Sequence, residues 1–141
     1  DVTRESIRDT DILPSNFDTF IKNRKNKKLF VSYFGQTFLK LHADNSKSPI
    51  SVFLAGCFSD PSECYTCSHG SISKAGIFST NIDEGDSRIW FHAHLCEETD
   101  ILMFSKDTDS YMIGLPHISS LKKNVFINIG GSKSISEVYI S

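Results

Sequence analysis

Residues 100–115 read DILMFSKDTDSYMIGL, and this stretch constrains the fold more than any other. Four consecutive apolar side chains, Ile101 to Phe104, form a run too short for a buried helix and suited to a strand buried in a sheet. Two aspartates, Asp107 and Asp109, follow closely. In open α/β sheets ligands bind beyond the carboxyl ends of the strands, so these acids fall where a site belongs. One acid-x-acid pair is a weak signal in a chain with 17 acids. A plainer reading has Asp107 capping a short helical turn over 108–113.

The flanking patterns suggest how the strand is housed. After an irregular lead-in over 1–13, PSNF opens a helical region over 14–41, with Ser15 or Asn16 as its cap. Phe17, Phe20, Ile21, Phe30, Phe34, Phe38 and Leu41 give it an apolar stripe, and the polar KNRKNKK between them marks a break. ISVFLAG, 50–56, reads as a strand, 57–71 as a long polar loop, and ISKAGIFST as strand or helix. Residues 82–97 read as a helix, and VFINIGG and ISEVYIS as two more strands, paired as a hairpin around GGSKS. An α/β core over 50–141 follows, and strands alternating with helices predict a three-layer sandwich around a mainly parallel sheet. The 141 residues suit a single domain.

A second acidic cluster, NIDEGDSRIWFHAHL, lies about twenty residues upstream of the first. Asn81 as cap and Glu84 three residues on resemble a capping box, which gives Glu84 a structural role. Asp86 has a less ready one. At 100° per residue it shares a helix face with Ile82, Ile89 and Ala93, the face expected to meet the sheet. A carboxylate taken from water without a partner costs several kcal/mol. A cation shared with Asp107 and Asp109 would remove that cost, and Glu84 could join them from the first turn. Clustered carboxylates select Mg²⁺ or Mn²⁺. Two such ions about 4 Å apart hold the attacking and leaving oxygens of a phosphodiester.

On these residues, DEGDSRIWFHAHL followed by ILMFSKDTDSYMIGL resembles the paired acidic motifs of PIN-like, flap-endonuclease-like nuclease domains, in particular mobile-element-associated animal members. LPSNFDTFIKNRKNKKLFVSYFGQTFL is similar to the helix that precedes the core in that group, so the resemblance covers roughly 12–130. It implies a metal-dependent nuclease fold in which Glu84, Asp86, Asp107 and Asp109 ligate Mg²⁺ or Mn²⁺ and Arg88 orients the site or contacts phosphate. Gly85 and Ser87 depart mildly from the pattern. The family's first and last acids have no counterpart here, so the resemblance implies a partial domain of a nuclease that hydrolyses nucleic-acid phosphodiester bonds, and it leaves activity of this form by itself open. The alternative is a non-catalytic PIN-like interaction module. Two other Mg²⁺ or Ca²⁺ motifs fail: Ser105 and Lys106 interrupt the run that opens a haloacid-dehalogenase site, and Tyr111 occupies an EF-hand ligand position.

Charge and composition narrow the partners. The net charge is −2, so nucleic-acid binding requires a local basic surface. KNRKNKK supplies one in Lys22, Arg24, Lys25, Lys27 and Lys28, unless these form an ordinary solvated face. Trp90 reads as core. No apolar run spans a bilayer and no signal peptide opens the sequence, so an intracellular place, nuclear or cytoplasmic, is expected. Four cysteines do not make a disulfide framework in a chain this long. Cys64 and Cys67 in CYTCSH, followed by His69, could join His92 and Cys96 in a zinc site, or be free thiols in a turn.

Overall fold

The computed structural model describes residues 4–45, 47–105, 107–128 and 137–140. The chain divides into two compact units, Asp1–Asn81 and Ile82–Ser141.

The first unit begins with two helices, α1 (Phe17–Lys22) and α2 (Arg24–Asp44). Asn16 caps α1 by accepting from the Thr19 amide at 3.0 Å. Asn23 adopts extended backbone and ends α1. Its side chain then caps α2, accepting from the amides of Lys25 (3.0 Å) and Asn26 (3.4 Å). The break expected within KNRKNKK is therefore one asparagine serving as both stop and start. Helix α2 buries Asn26, Gly35 and Leu39. A Cβ at Gly35 would lie 2.7 Å from Cys57 Sγ and 2.9 Å from the Leu54 side chain, so this approach needs glycine. The phenylalanine stripe lies elsewhere on the helix. Phe34 and Phe38 are exposed, and their rings stack with centroids 6.5 Å apart.

Three antiparallel strands complete this unit in the order β1 (Val52–Ala55), β2 (Cys64–Ser68), β3 (Ser71–Lys74). The span expected to be a polar loop over 57–71 thus contains a strand and a hairpin turn. His69 and Gly70 both have positive φ, 48° and 78°. That is the two-residue turn whose twist matches paired strands, with Ser68 facing Ser71. ISKAGIFST resolves into β3 and a 3-10 turn, Gly76–Phe78.

In the second unit α3 (Gly85–Leu95) precedes β4 (Asp100–Phe104). The chain then runs through α4 (Thr108–Gly114), a 3-10 turn at Leu115–His117 and α5 (Ile118–Leu121) to β5 (Asn124–Asn128). Strand β5 pairs parallel with β4 and antiparallel with β6 (Glu137–Ile140). The GGSKS turn of the expected hairpin lies outside the described residues. Trp90, Met103, Tyr111, Leu121, Val125 and Ile127 form the core, with Ile101 and Ile118 packed against it.

The three-layer sandwich with a mainly parallel sheet is not what forms. Among the described residues there are two small sheets, one wholly antiparallel and the other with one parallel pair. Strand β4 shows the physical reason. Met103 is buried, while Leu102 and Phe104 are 55% and 68% exposed. A parallel strand in a sandwich is covered on both faces; this one is covered on one. The uninterrupted apolar run ILMF conceals that alternation.

Candidate functional site: an acidic corner after β4

Helix α3 starts at Gly85, one turn later than a cap at Asn81 requires. Glu84 is itself the N-cap residue, with extended backbone and no side-chain cap bond. Its carbonyl accepts the Arg88 amide at 3.0 Å, and its carboxylate is exposed. Asp86 sits in the first turn, half-buried. Trp90, one turn on, is buried, and its indole N–H donates to the Ser110 carbonyl at 2.6 Å. This bond ties α3 to α4.

The same serine receives Asp86. Ser110 is fully buried, and its hydroxyl donates to Asp86 Oδ1. Its oxygen lies 2.9 Å from Ser105 Oγ, which in turn accepts the Asp107 amide at 3.1 Å. Since Ser110 has one hydroxyl proton and gives it to Asp86, the donor between the two serines is Ser105, whose hydroxyl has the Asp107 carbonyl as a second, longer acceptor at 3.4 Å. The result is a directed chain of donors from the Asp107 amide through Ser105 and Ser110 to the Asp86 carboxylate. Such chains strengthen bond by bond. Tyr111 braces the corner: its hydroxyl donates to the Ser105 carbonyl and lies 3.1 Å from the Asn128 carbonyl.

Asp107 caps α4, its Oδ1 accepting the Asp109 amide at 3.1 Å. Asp109 occupies the first turn, exposed, where an acid suits the helix dipole. The two acidic motifs therefore do meet, with Asp86 joined to the segment after β4. Glu84 and Asp109 make no hydrogen bond to that serine chain. Among the described residues no three His, Cys, Asp or Glu side chains gather closely enough to hold a metal ion. Mg²⁺ needs only one or two protein carboxylates, with water or phosphate in its other positions; here Oδ1 of Asp86 and Oδ1 of Asp107 are each engaged by a hydrogen bond within the protein.

Arg88 is buried, 8% exposed. Its guanidinium donates to the Ile82 carbonyl, through Nε at 3.0 Å and through Nη2. It fixes the segment entering α3. Ser105 and Ser110 escaped the sequence reading. The available signal was a serine directly after the acid pair, one helical turn before Gly114, the position that admits Trp90. A Cβ at Gly114 would fall 1.8 Å from the Trp90 ring.

The other candidates belong to other elements. Lys22 ends α1, and Arg24, Lys25, Lys27 and Lys28 form the first two turns of α2, all exposed. Cys64 and Cys67 are buried free thiols on β2. Being three apart on a strand, they point to opposite faces, so they cannot pinch one zinc ion as a knuckle turn does. Cys57 is a third buried thiol, and burial raises its pKa. Cys96 ends α3, where the Lys123 ammonium donates to the Ala93 carbonyl at 3.0 Å and to the Cys96 carbonyl. No helix among the described residues is long and apolar enough to cross a membrane. No protein-family model, curated protein or solved structure matches the chain.

Proposed function

We propose that this chain is a non-catalytic relative of PIN-like nuclease domains, a nucleic-acid interaction module whose acids have become structural. The observation that carries this reading is the commitment of the central acids. Asp86 terminates a serine hydrogen-bond chain, and Asp107 caps α4. Half-buried Asp86 has a protein donor at Oδ1 and exposed Asp107 is engaged at Oδ1 as a cap, so neither needs a cation to offset a burial cost. The basic run at the start of α2 supplies the charge for a nucleic-acid partner.

The test is calorimetric titration with Mg²⁺ and Mn²⁺, paired with a cleavage assay on single- and double-stranded DNA and RNA. The reading expects no saturable heat and no cleavage. Binding that disappears in Asp107→Asn/Asp109→Asn, accompanied by metal-dependent cleavage, would sink it in favour of an active nuclease. That second reading has one observation of its own: Asp86 is brought to the segment carrying Asp107, beyond the carboxyl end of β4, where α/β sites form.

A further inference from the structure

The first unit contains an open cleft of about 690 Å³ lined by Arg4, Glu5, Lys25, Lys28, Leu29, Ser32, Phe58 and Ser59. We propose that this cleft binds a phosphate-bearing nucleotide, either free or as part of a single strand. The choice of ligand rests on the nucleic-acid reading above; the cleft itself involves none of the acids of the second unit.

Arg4, Lys25 and Lys28 line the cleft with one acid, Glu5, and because Arg4 is ion-paired to Asp11 the charge open to a ligand is that of the two lysines. Arg4 is held by Asp11 at 3.2 Å, and its amide donates to the buried Asn26 side chain at 3.0 Å. The segment carrying Arg4 is thereby pinned against α2. The ammonium groups of Lys25 and Lys28 make no ion pair or hydrogen bond among the described residues. Asn23 already takes the Lys25 and Asn26 amides, so the positive charge offered to a ligand is that of the side chains. Phe58 supplies an aromatic surface and is itself set by Tyr65, ring centroids 4.5 Å apart. Leu29 adds an apolar patch. Cations that neutralise phosphates, beside a ring on which a base can stack, are the two components of sequence-tolerant nucleotide binding. The volume lies within the usual range of small-ligand sites.

The test titrates the 141-residue protein with a labelled twelve-nucleotide oligothymidylate, with AMP and with inorganic phosphate, at several salt concentrations. For single strands the slope of log K against log salt is about −0.7 per neutralised phosphate. Lys25→Gln/Lys28→Gln should therefore flatten the oligonucleotide slope by roughly 1.4 and weaken AMP binding. Phe58→Leu should weaken both ligands about fivefold or more without changing the slope. A circular-dichroism melt establishes that each variant is folded. Strand binding well above that of AMP identifies a strand site, and comparable binding identifies a free-nucleotide site; both support the cleft. Absence of binding by oligonucleotide and AMP alike overturns it. So does an unchanged slope in the double lysine variant, or phosphate binding as tight as AMP with no effect of Phe58→Leu. Metal binding at the acidic corner would refute the non-catalytic reading and leave this result unaffected.

Discussion

Ser110→Ala removes a single oxygen from a position without solvent exposure. Alanine fits the space, so the change tests hydrogen bonding rather than packing. The lost bond ends on a carboxylate, and bonds to charged groups are worth about 1.5–3 kcal/mol. Asp86 is only half-buried, so water can partly replace the serine, which favours the lower end, about 1.5 kcal/mol. That corresponds to about tenfold in the folding equilibrium. In a unit of this size it lowers Tm by roughly 6–12 °C. Asp86→Ala also loses a favourable helix-dipole interaction, so the bond is isolated by a double-mutant cycle with Ser110→Ala. The chain's only tryptophan, Trp90, is buried and bonded to the Ser110 carbonyl. Urea unfolding followed by its emission therefore reads the correct unit. A coupling of about 1.5 kcal/mol is expected; a value below about 0.5 kcal/mol would show that the serine chain does not hold Asp86 and would remove the basis of the structural reading.

At Gly114, alanine gains up to about 1 kcal/mol of helix propensity. Its Cβ, however, meets the Trp90 ring at 1.8 Å, and that ring is anchored by its own hydrogen bond. Overpacking costs of about 1–3 kcal/mol or more should win, seen as a lower urea midpoint and altered Trp90 emission. At Asp107, asparagine preserves the cap whereas alanine forfeits about 1 kcal/mol; equal loss in both variants would show that charge, not capping, is its contribution. Asp60 accepts from the Ser62 hydroxyl at 2.7 Å and amide at 2.9 Å, which lowers its pKa. Its contribution is therefore present above the unfolded carboxyl pKa of about 3.9 and is lost as pH falls through the lowered folded value. An acid titration followed by circular dichroism should show that component missing in Asp60→Asn.

Much of the local structure could be read from short patterns because its causes are local. Asn16 and Asn23 cap helices with their own side chains, and the apolar run before Asp107 forms a strand. The β2–β3 hairpin is equally local, although its span reads as a polar loop in the sequence. Its signal, CYTCS and SISK separated by His-Gly, was outweighed by the polar, cysteine-rich composition of the region. His69 and Gly70 at positive φ make the two-residue turn that joins the paired strands.

The sequence by itself determined that two acidic motifs, each at a helix start, stand about twenty residues apart, and that Trp90 belongs to a core. Tertiary structure decided which groups Asp86 meets. Whether Asp86 meets a cation or a serine depends on how α3 packs against α4, and that packing is set by Trp90 fitting over Gly114 and bonding to Ser110. It also decided the sheet. A run such as ILMF does not reveal whether its second face will be covered, because burial depends on which other elements arrive there. Here Met103 enters the core while Leu102 and Phe104 remain exposed, and the predicted sandwich gives way to two small sheets in two units.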